Sequence, residues 1–249
     1  MGFTLVELLV VIAIIGVLAA FILCALSIAK GHAQSAYCKN LMRQMGQALA
    51  MYVHENGGRY PYYLGPAGPS YGDGVGLDGR GLGLVYWSSK LYPYYPMNWT
   101  NAGYRCPGYK GVATGQFRHG SADRLGSYTY NLRGGQVQDL GFPKHFGLGP
   151  CLFWSGDTAA SEAAVIVPSE MLSIGESRWQ KSDRPPMPSD AMKCGLGEGF
   201  GSFATRHGKK FNQLFCDAHV EAMNPVVLFD PKQSARMWNY DHQPHPEMW

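Results

Sequence analysis

The fold is decided by the stretch GFTLVELLVVIAIIGVLAA, residues 2–20, in which one carboxylate, Glu7, stands at the head of an apolar run. Glu7 is the only charged residue from Thr4 to Ala29, a length that exceeds the ~20 residues a helix needs to cross a hydrocarbon core. A charge at the bilayer centre costs roughly 2.5 to 3.5 kcal/mol on insertion scales, so such a residue is by default functional and has a partner. We therefore predict a transmembrane helix within residues 1–29 and a functional partner for Glu7.

The apolar run continues through FILCALSIAK to Lys30, beyond the length of the apolar core in a secretory signal. We therefore expect it to be retained as an anchor. Beyond Lys30 no apolar run approaches spanning length, and Gly, Pro and Tyr recur. The pattern predicts one anchor followed by one folded head.

After Lys30 the helical pattern continues without a proline as far as the stop signal ENGGRYP, residues 55–61. The residues expected on its apolar face are Tyr37, Leu41, Met45, Ala48 and Tyr52. Gly16, Gly31 and Gly46 either let this helix bend or approach neighbours, or are tolerated small residues. We predict an amphipathic continuation over residues 30–56 and a globular head over residues 57–249.

The charge balance and the cysteine spacing argue against several classes of function. With 21 Lys and Arg against 18 Asp and Glu and no basic stripe, nucleic acid is not an expected partner. The six cysteines form no CxxC pair of the kind that zinc or thioredoxin-like chemistry uses. Cys24 lies in the anchor, which leaves five for the head. The candidate disulfide is Cys38 with Cys106, helix to loop, although pairing cannot be read from sequence alone.

The stretch at residues 2–20 resembles the prepilin-type cleavage and methylation segment of type IV pilins and type II secretion pseudopilins. The resemblance implies that prepilin peptidase cuts after Gly2 and that Phe3 becomes the N-methylated first residue. It also implies that Glu7 meets the cationic amine of a neighbouring subunit, where losing one partner of a buried pair costs about 3 to 5 kcal/mol. The alternative is that Glu7 sits at the lipid interface with its carboxylate in water. Prepilins normally carry a longer leader with Lys or Arg before the glycine.

Later segments resemble a large pseudopilin-like family common in the Verrucomicrobia and Planctomycetes. They are YCKNLMRQMGQALAMYVHENGGRYP, YRCPGYKG, GSYTYNLRG and VPSEMLSIGES. RHGKKFNQLFCDAHVEAM resembles the His, nine residues, Asp-Gly signature of that family, with His207 and Asp217 in place and His219 after them. Ala218 stands where glycine is usual.

The same segment predicts a β-meander, with SFATRH and NQLFC as strands around GKKF and VEAMN as the next strand. A two-residue turn at Asp217–Ala218 would need a positive φ at alanine, which costs roughly 1 kcal/mol or more, so we expect a longer or distorted turn. A further strand is expected in AAVIVPSEMLSIGES. The fold class is therefore α+β, a long helix packed on a mostly antiparallel sheet with long Gly/Pro/Tyr-rich loops. The tyrosines in those loops either form an interaction surface or hold the loops on the sheet.

The hypothesis that the protein is an enzyme depends on polar residues near the end of the chain. The candidates are His207, Asp217, His219, Glu221, His242 and His245. No HExxH, GxSxG or P-loop pattern accompanies them, and the structural alternative assigns Asp217 to the turn and His207 to a bond across the hairpin. We expect no enzyme. Some pseudopilins bind calcium, but the spacing of Asp73 and Asp78 does not follow the calcium-loop pattern, so no metal site or other cofactor is expected.

These observations favour a structural subunit of a type II secretion pseudopilus or type IV pilus-like filament. Its expected partners are copies of itself, other pilin-like subunits, prepilin peptidase, the inner-membrane assembly platform and the membrane. Its expected location is the bacterial inner membrane, single-pass, with the C-terminal head in the periplasm, or a surface filament. The alternatives are a membrane-tethered binding protein that does not polymerise, for example one that binds a glycan, and a tethered metal-dependent hydrolase.

Overall fold

One uninterrupted helix, α1 (Leu5–Glu55), begins the computed structural model, which describes residues 4–66, 84–109, 126–132, 134, 145–149, 158–176 and 206–248. The helix is 51 residues long and ends at the predicted stop signal. Gly57 and Gly58 have positive φ angles of 64° and 71°, and the Gly58 N–H donates to the Val53 carbonyl at 2.9 Å. A glycine in the left-handed region just after the last turn is a frequent helix terminator, because it carries no Cβ.

The two halves of α1 have different surroundings. Within the described residues, α1 is the one helix long and apolar enough to cross a membrane, and its most apolar window is covered by no other part of the structure. Burial begins at Cys38, and the buried residues are Cys38, Leu41, Met42, Met45, Gly46, Ala48, Leu49 and Val53. The predicted apolar face is therefore rotated slightly, because Tyr37 is 46% exposed while Cys38 is buried.

The described part of the head contains two antiparallel sheets. A small one pairs β1 (Leu64–Pro66) with β2 (Leu84–Tyr86). The main one has four strands in chain order: β3 (Tyr128–Tyr130), β4 (Leu172–Glu176), β5 (Phe211–Phe215) and β6 (Val220–Met223). The described residues of the head also form three short α-helices: α2 (Trp87–Lys90), α3 (Pro225–Leu228) and α4 (Pro231–Trp238). The predicted α+β class is confirmed.

The strand predictions are met in part. β5 and β6 correspond to NQLFC and VEAMN, and β4 occupies only the end of AAVIVPSEMLSIGES, where the earlier part forms a 3₁₀ turn at Glu162–Ala164. Most of SFATRH lies outside the described residues. Its described end pairs Arg206 with Lys210 in an isolated bridge.

The main sheet is covered on both faces. Leu214 of β5 and Ile174 of β4 join the core formed with α1, whereas Leu172 and Phe215 join a second core with Trp238 of α4. All five residues of β5 are buried. Because successive side chains of a strand point to opposite faces, a strand buried along its whole length needs cover on both sides. Here α1 covers one side and the α3–α4 pair covers the other.

A register shift in β4 accounts for how its residues reach both cores. Leu172 opposes Phe215 and Ile174 opposes Leu214, so β4 uses two residues where β5 uses one. In a regular strand, Leu172 and Ile174 would share a face. The extra residue of a β-bulge instead places them in different cores.

Most of the loop tyrosines hold the loops on the head. Tyr60, Tyr63 and Tyr95 are each only 6% exposed. The ring of Trp87 stacks on Tyr130 at 5.4 Å between ring centroids and meets other aromatic rings edge-on. Of the two alternatives that the sequence left open, burial favours attachment over an exposed surface for these three rings.

The turn between β5 and β6 is longer than two residues, as expected. The Phe215 N–H donates to the His219 carbonyl at 3.0 Å, which encloses a three-residue loop. Ala218 closes this loop with a φ of 69°, and its N–H donates to the Phe215 carbonyl. Ala218, which stands where the predicted signature has glycine, thus adopts a left-handed conformation.

Gly46 marks a close approach between α1 and this hairpin. A Cβ added at Gly46 would lie 2.9 Å from Leu214 Cδ1 and 3.2 Å from the Ala218 Cβ. Leu214 is fully buried, so its side chain has little room to move away. Gly46 is therefore a packing residue. Gly31, by contrast, has nothing within 4 Å of an added Cβ.

We predict that Gly46→Ala lowers the free energy of unfolding by about 1 to 3 kcal/mol, because overpacking outweighs the gain in helix propensity. Gly31→Ala is the matched control and should be neutral, or stabilising by up to about 1 kcal/mol. Urea unfolding of the full-length chain in detergent, followed by tryptophan fluorescence, measures both. Equal stabilities of the two variants would contradict the close approach.

Candidate functional site

The first candidate site is the start of α1. Gly2 and Phe3 lie outside the described residues, and Thr4 is the N-cap of the helix. The Thr4 N–H and hydroxyl both donate to Glu7 Oε2, at 2.8 and 2.7 Å, and the Glu7 N–H donates to Thr4 Oγ1 at 3.3 Å. This is a capping box, for which Thr-x-x-Glu is the sequence signature. The signature was present in the sequence and was missed, because the carboxylate was considered only in relation to the membrane.

The capping box gives Glu7 a partner within its own chain. A carboxylate in the first turn also interacts favourably with the positive end of the helix dipole. Both bonds from Thr4 end on Oε2. Within the described part of the chain, this leaves Oε1 as an acceptor for a donor from outside. One carboxylate can therefore cap its own helix and still bind a cation.

The apolar side chains that follow are uncovered. The residues expected to contact neighbouring subunits are Val6, Leu9, Ile12, Ile15 and Leu18, and each is more than half exposed. The described part of the head covers none of them. Exposed apolar surface of this extent indicates contact with a membrane or with other protein, since monomeric soluble proteins rarely expose it.

Residues 2–23 match the family model described as the prokaryotic N-terminal methylation motif. The start of the chain is thus similar to the N-terminal segment typical of type IV pilins and pseudopilins. The predicted resemblance to the prepilin segment is thereby confirmed. The motif is typical of structural proteins rather than enzymes, and the apolar helix indicates membrane anchoring. No curated protein and no solved structure matches the chain. The match does not extend to the head, whose resemblance to the family with the His, nine residues, Asp-Gly signature stays a prediction.

The residues of the predicted His, nine residues, Asp-Gly signature lie in two different places. Asp217 and His219 are at the β5–β6 turn, where Asp217 Oδ1 accepts bonds from the His219 N–H at 3.1 Å and its ring Nδ1 at 2.6 Å. Both side chains are partly exposed. Asp217 serves the turn, as the structural alternative expected. The His207 side chain is buried, and its ring contacts Glu176 of β4 and Cys106 of a loop instead of bonding across the predicted hairpin of SFATRH and NQLFC.

His207 belongs to a buried group that we call the thiol cluster: Cys38, Cys106, Glu176 and His207. Cys38 comes from α1, Cys106 follows the 3₁₀ turn Ala102–Tyr104, Glu176 ends β4 and His207 precedes β5. The two sulfurs are 2.6 Å apart and both thiols are free. His207 Nε2 is 3.2 Å from Cys106 Sγ and 2.9 Å from Glu176 Oε1. The structure thus brings together the two cysteines of the predicted bridge.

Hydrogen bonds hold the cluster in place. The Cys106 N–H donates to Ser127 Oγ at 3.0 Å, and Arg206 Nη1 donates to the Ser127 carbonyl at 3.1 Å. The Asn212 N–H donates to Glu176 Oε2 at 2.9 Å, and Arg206 Nη1 lies 4.0 Å from Glu176 Oε1. The cation and the backbone donor beside it offset part of the cost of burying this carboxylate. Glu176 and Arg206 were not singled out from the sequence, where neither belongs to a spaced motif.

These contacts shift the pKa values of the cluster in opposite directions. The hydrogen bond with Cys38 is the main cause that lowers the pKa of Cys106 to about 6, against the effect of burial and with help from His207 and Arg206. The same sulfur contact, and then burial, raises the pKa of Cys38. Burial acts to lower the pKa of His207, but its hydrogen bonds to Cys106 and Glu176 and their charges raise it to about 9. In the reduced cluster these shifts favour a Cys106 thiolate beside a His207 imidazolium.

The arrangement does not match a Cys-His-carboxylate catalytic triad. In a triad the imidazole binds the nucleophile through one nitrogen and the carboxylate through the other. Here both contacts use Nε2, and Nδ1 of His207 has no hydrogen-bond partner among the described residues. Cys106 has no exposed surface. A substrate would not reach its sulfur in this conformation.

The other candidate catalytic residues from the sequence do not lie around His207. Each of the remaining histidines has its own carboxylate: His219 with Asp217 at 2.6 Å, His242 with Glu170 at 3.3 Å and His245 with Asp241 at 2.8 Å. Glu221 lies on β6 opposite Gln213. The tail also docks through stacking of His245 on Phe146. The described residues thus place these histidines in separate local pairs.

The thiol cluster also offers donor atoms for a metal ion. Across the described ranges, the thiol cluster is the only group of three or more His, Cys, Asp or Glu side chains placed to hold a metal ion, with four donor atoms within 4.8 Å of one another. The sulfur and nitrogen donors are of the type that zinc takes. Asp73 and Asp78, and likewise Cys151 and Cys194, lie outside the described residues.

We predict that His207→Gln lowers the free energy of unfolding by about 3 kcal/mol, because it leaves Glu176 buried without its closest cationic partner. His219→Gln is the matched control. It removes a partly exposed pair and should cost below about 1 kcal/mol.

Urea unfolding of the full-length chain in detergent, at one fixed thiol redox state, measures both variants. The double variant His207→Gln/Glu176→Gln should lose less than the two single losses together, since it removes both charges. A loss for His207→Gln no larger than that for His219→Gln would overturn the buried pair.

Proposed function

We propose that the protein is a structural subunit of a type II secretion pseudopilus or type IV pilus-like filament. In this proposal prepilin peptidase cuts after Gly2, Phe3 is methylated, and α1 assembles with copies of itself and other pilin-like subunits on an inner-membrane platform. The head then lies in the periplasm or on a surface filament. One observation carries the proposal: a single helix bears the methylation motif and an uncovered apolar half, and continues without a break into the core of the head.

The dimensions of α1 suit both the membrane and a filament. At 1.5 Å per residue its 51 residues extend on the order of 75 Å, more than twice the thickness of a hydrocarbon core. The uncovered half is thus long enough to span the bilayer in the precursor. After extraction from the membrane, the same apolar surface needs a new cover, which helices of neighbouring subunits supply by close packing.

Glu7 fits a role between subunits because the capping box uses one of its oxygens. Cleavage after Gly2 creates an amine on Phe3, and a neighbour's amine would find an acceptor in Glu7 Oε1. Within the filament core such a pair is worth little net stabilisation, but a missing partner leaves a charge unpaired at about 3 to 5 kcal/mol. The pair would therefore set how far one helix can slide along the next.

Replacing Glu7 tests this role. We predict that Glu7→Gln lowers the amount of the chain in sheared surface filaments by at least tenfold, because the amide keeps the size but not the charge. Thr4→Val is the matched control, since it removes the side-chain cap and leaves the carboxylate. It should cost about 1 kcal/mol of helix stability and reduce incorporation much less.

Membrane insertion, measured by resistance to carbonate extraction, should be unchanged in both variants. Unchanged incorporation of Glu7→Gln would favour the alternative of a tethered binding protein that does not polymerise.

The N-terminal peptide provides a second test. Mass spectrometry of the membrane and sheared-surface fractions from the native cells should find mature chains that begin at N-methylated Phe3. Gly2→Leu, which enlarges the residue at the cleavage site, should accumulate uncut in the membrane fraction. A mature wild-type chain that retains Gly2 would contradict processing, whatever the behaviour of the Glu7 variants.

A further inference from the structure

The position of the thiol cluster along α1 carries a further inference. Cys38 is the first buried residue of the helix, so it lies where α1 leaves the head and its uncovered half begins. Cys106 sits on the loop that closes over this point, with its sulfur 2.6 Å from that of Cys38. A covalent bond here would fasten the helix to the head at its point of exit.

Two chemistries could use this pair of sulfurs, and the geometry distinguishes them. In a tetrahedral zinc site with Zn–S distances of about 2.3 Å, two sulfurs lie about 3.8 Å apart. A disulfide joins them at about 2.05 Å. The observed sulfur contact is much shorter than the zinc value, although His207 and Glu176 complete a possible set of donors. The arrangement therefore favours a covalent bond over a shared metal ion.

We propose that Cys38 and Cys106 are oxidised to an intrachain disulfide that fastens α1 to the head at the exit point of the helix. The oxidant is a protein disulfide of an exported oxidoreductase. One cysteine thiolate attacks that disulfide and forms a mixed disulfide, releasing the first oxidoreductase sulfur as a thiolate that takes up a proton. The second cysteine then displaces the remaining oxidoreductase sulfur. Two electrons and two protons pass to the oxidoreductase, whose disulfide becomes a dithiol.

The surroundings support this exchange. Thiolates rather than thiols perform it, and His207 and Arg206 favour the thiolate of Cys106. Both sulfurs are fully buried in the folded head, so exchange takes place while the loop carrying Cys106 docks on α1. Once formed, the bond is shielded from external thiols by the same burial. This inference rests on the proposed function only for the oxidising compartment in which the head lies.

The test is a non-reducing peptide map of the full-length chain, purified in detergent from membranes after blocking of free thiols. The expected result is one linked pair of peptides containing Cys38 and Cys106, with Cys24 blocked as a free thiol. Zinc bound at one ion per chain with both thiols free would overturn the proposal, and so would bridges from Cys38 or Cys106 to any other cysteine.

A second experiment separates the pairing from the location of the head. Reduced full-length protein is refolded in vitro with oxidised glutathione, and the pairing is mapped again. A Cys38–Cys106 bridge in vitro together with free thiols in membranes would support the pairing and contradict the periplasmic head. Free thiols in both experiments would overturn the bridge and leave the N-terminal processing test unaffected.

Hydrogen exchange measures the fastening itself. Reduction of the wild type should speed amide exchange at least tenfold in the turns of α1 around Cys38, with a much smaller change near Val53. Cys24→Ser is the matched control and should respond as the wild type does. Cys38→Ser should be insensitive to reductant, and uniform acceleration along the packed half of α1 would contradict a fastening at the exit point.

Discussion

The structure depends on the continuity of α1 across two environments. Its first half offers apolar side chains that the described head leaves uncovered, and its second half is one wall of the main core. No break separates the halves, and the packed half approaches Leu214 of β5 closely at Gly46. The contact can be this close only because Gly46 has no side chain. The helix therefore supports the sheet and, in the proposed function, is also the means of assembly.

Because α1 covers only one face of the main sheet, the other face needs a cover of its own. With α1 on one side, β5 would expose Phe211 and Phe215 on the other, and the α3–α4 pair removes them from water. The bulge in β4 lets Leu172 follow them into this second core while Ile174 stays beneath α1. The thiol cluster lies on the face of the sheet that α1 covers, next to the end of β4 and the start of β5. Its four side chains therefore come together only when the helix, the sheet and the loop are docked on one another.

How much could be predicted from the sequence depended on whether the signal was local. Helical periodicity and the ENGG stop predicted α1 to within a residue or two, because both signals act over a few turns. The apolar face was misplaced by one position at Tyr37, since periodicity does not show which of two neighbouring residues the sheet will cover. The thiol cluster could be predicted only in its two cysteines. Glu176 and His207 join them through strand pairing, which brings distant parts of the chain together. Residues that meet in this way form no sequence motif of fixed spacing, so the sequence alone does not reveal them.

Ala218 shows how a departure from a sequence pattern can be absorbed by its surroundings. In the left-handed region alanine is strained by roughly 1 to 2 kcal/mol relative to glycine, so the turn alone would favour glycine. The loop gains a third residue, which removes the need for a second positive φ, and the Ala218 methyl group faces the bare backbone of Gly46. Glycine on the helix and alanine on the turn together fill a space that glycine at both positions would leave open. Packing of this methyl group on α1 thus offsets part of the cost at the turn.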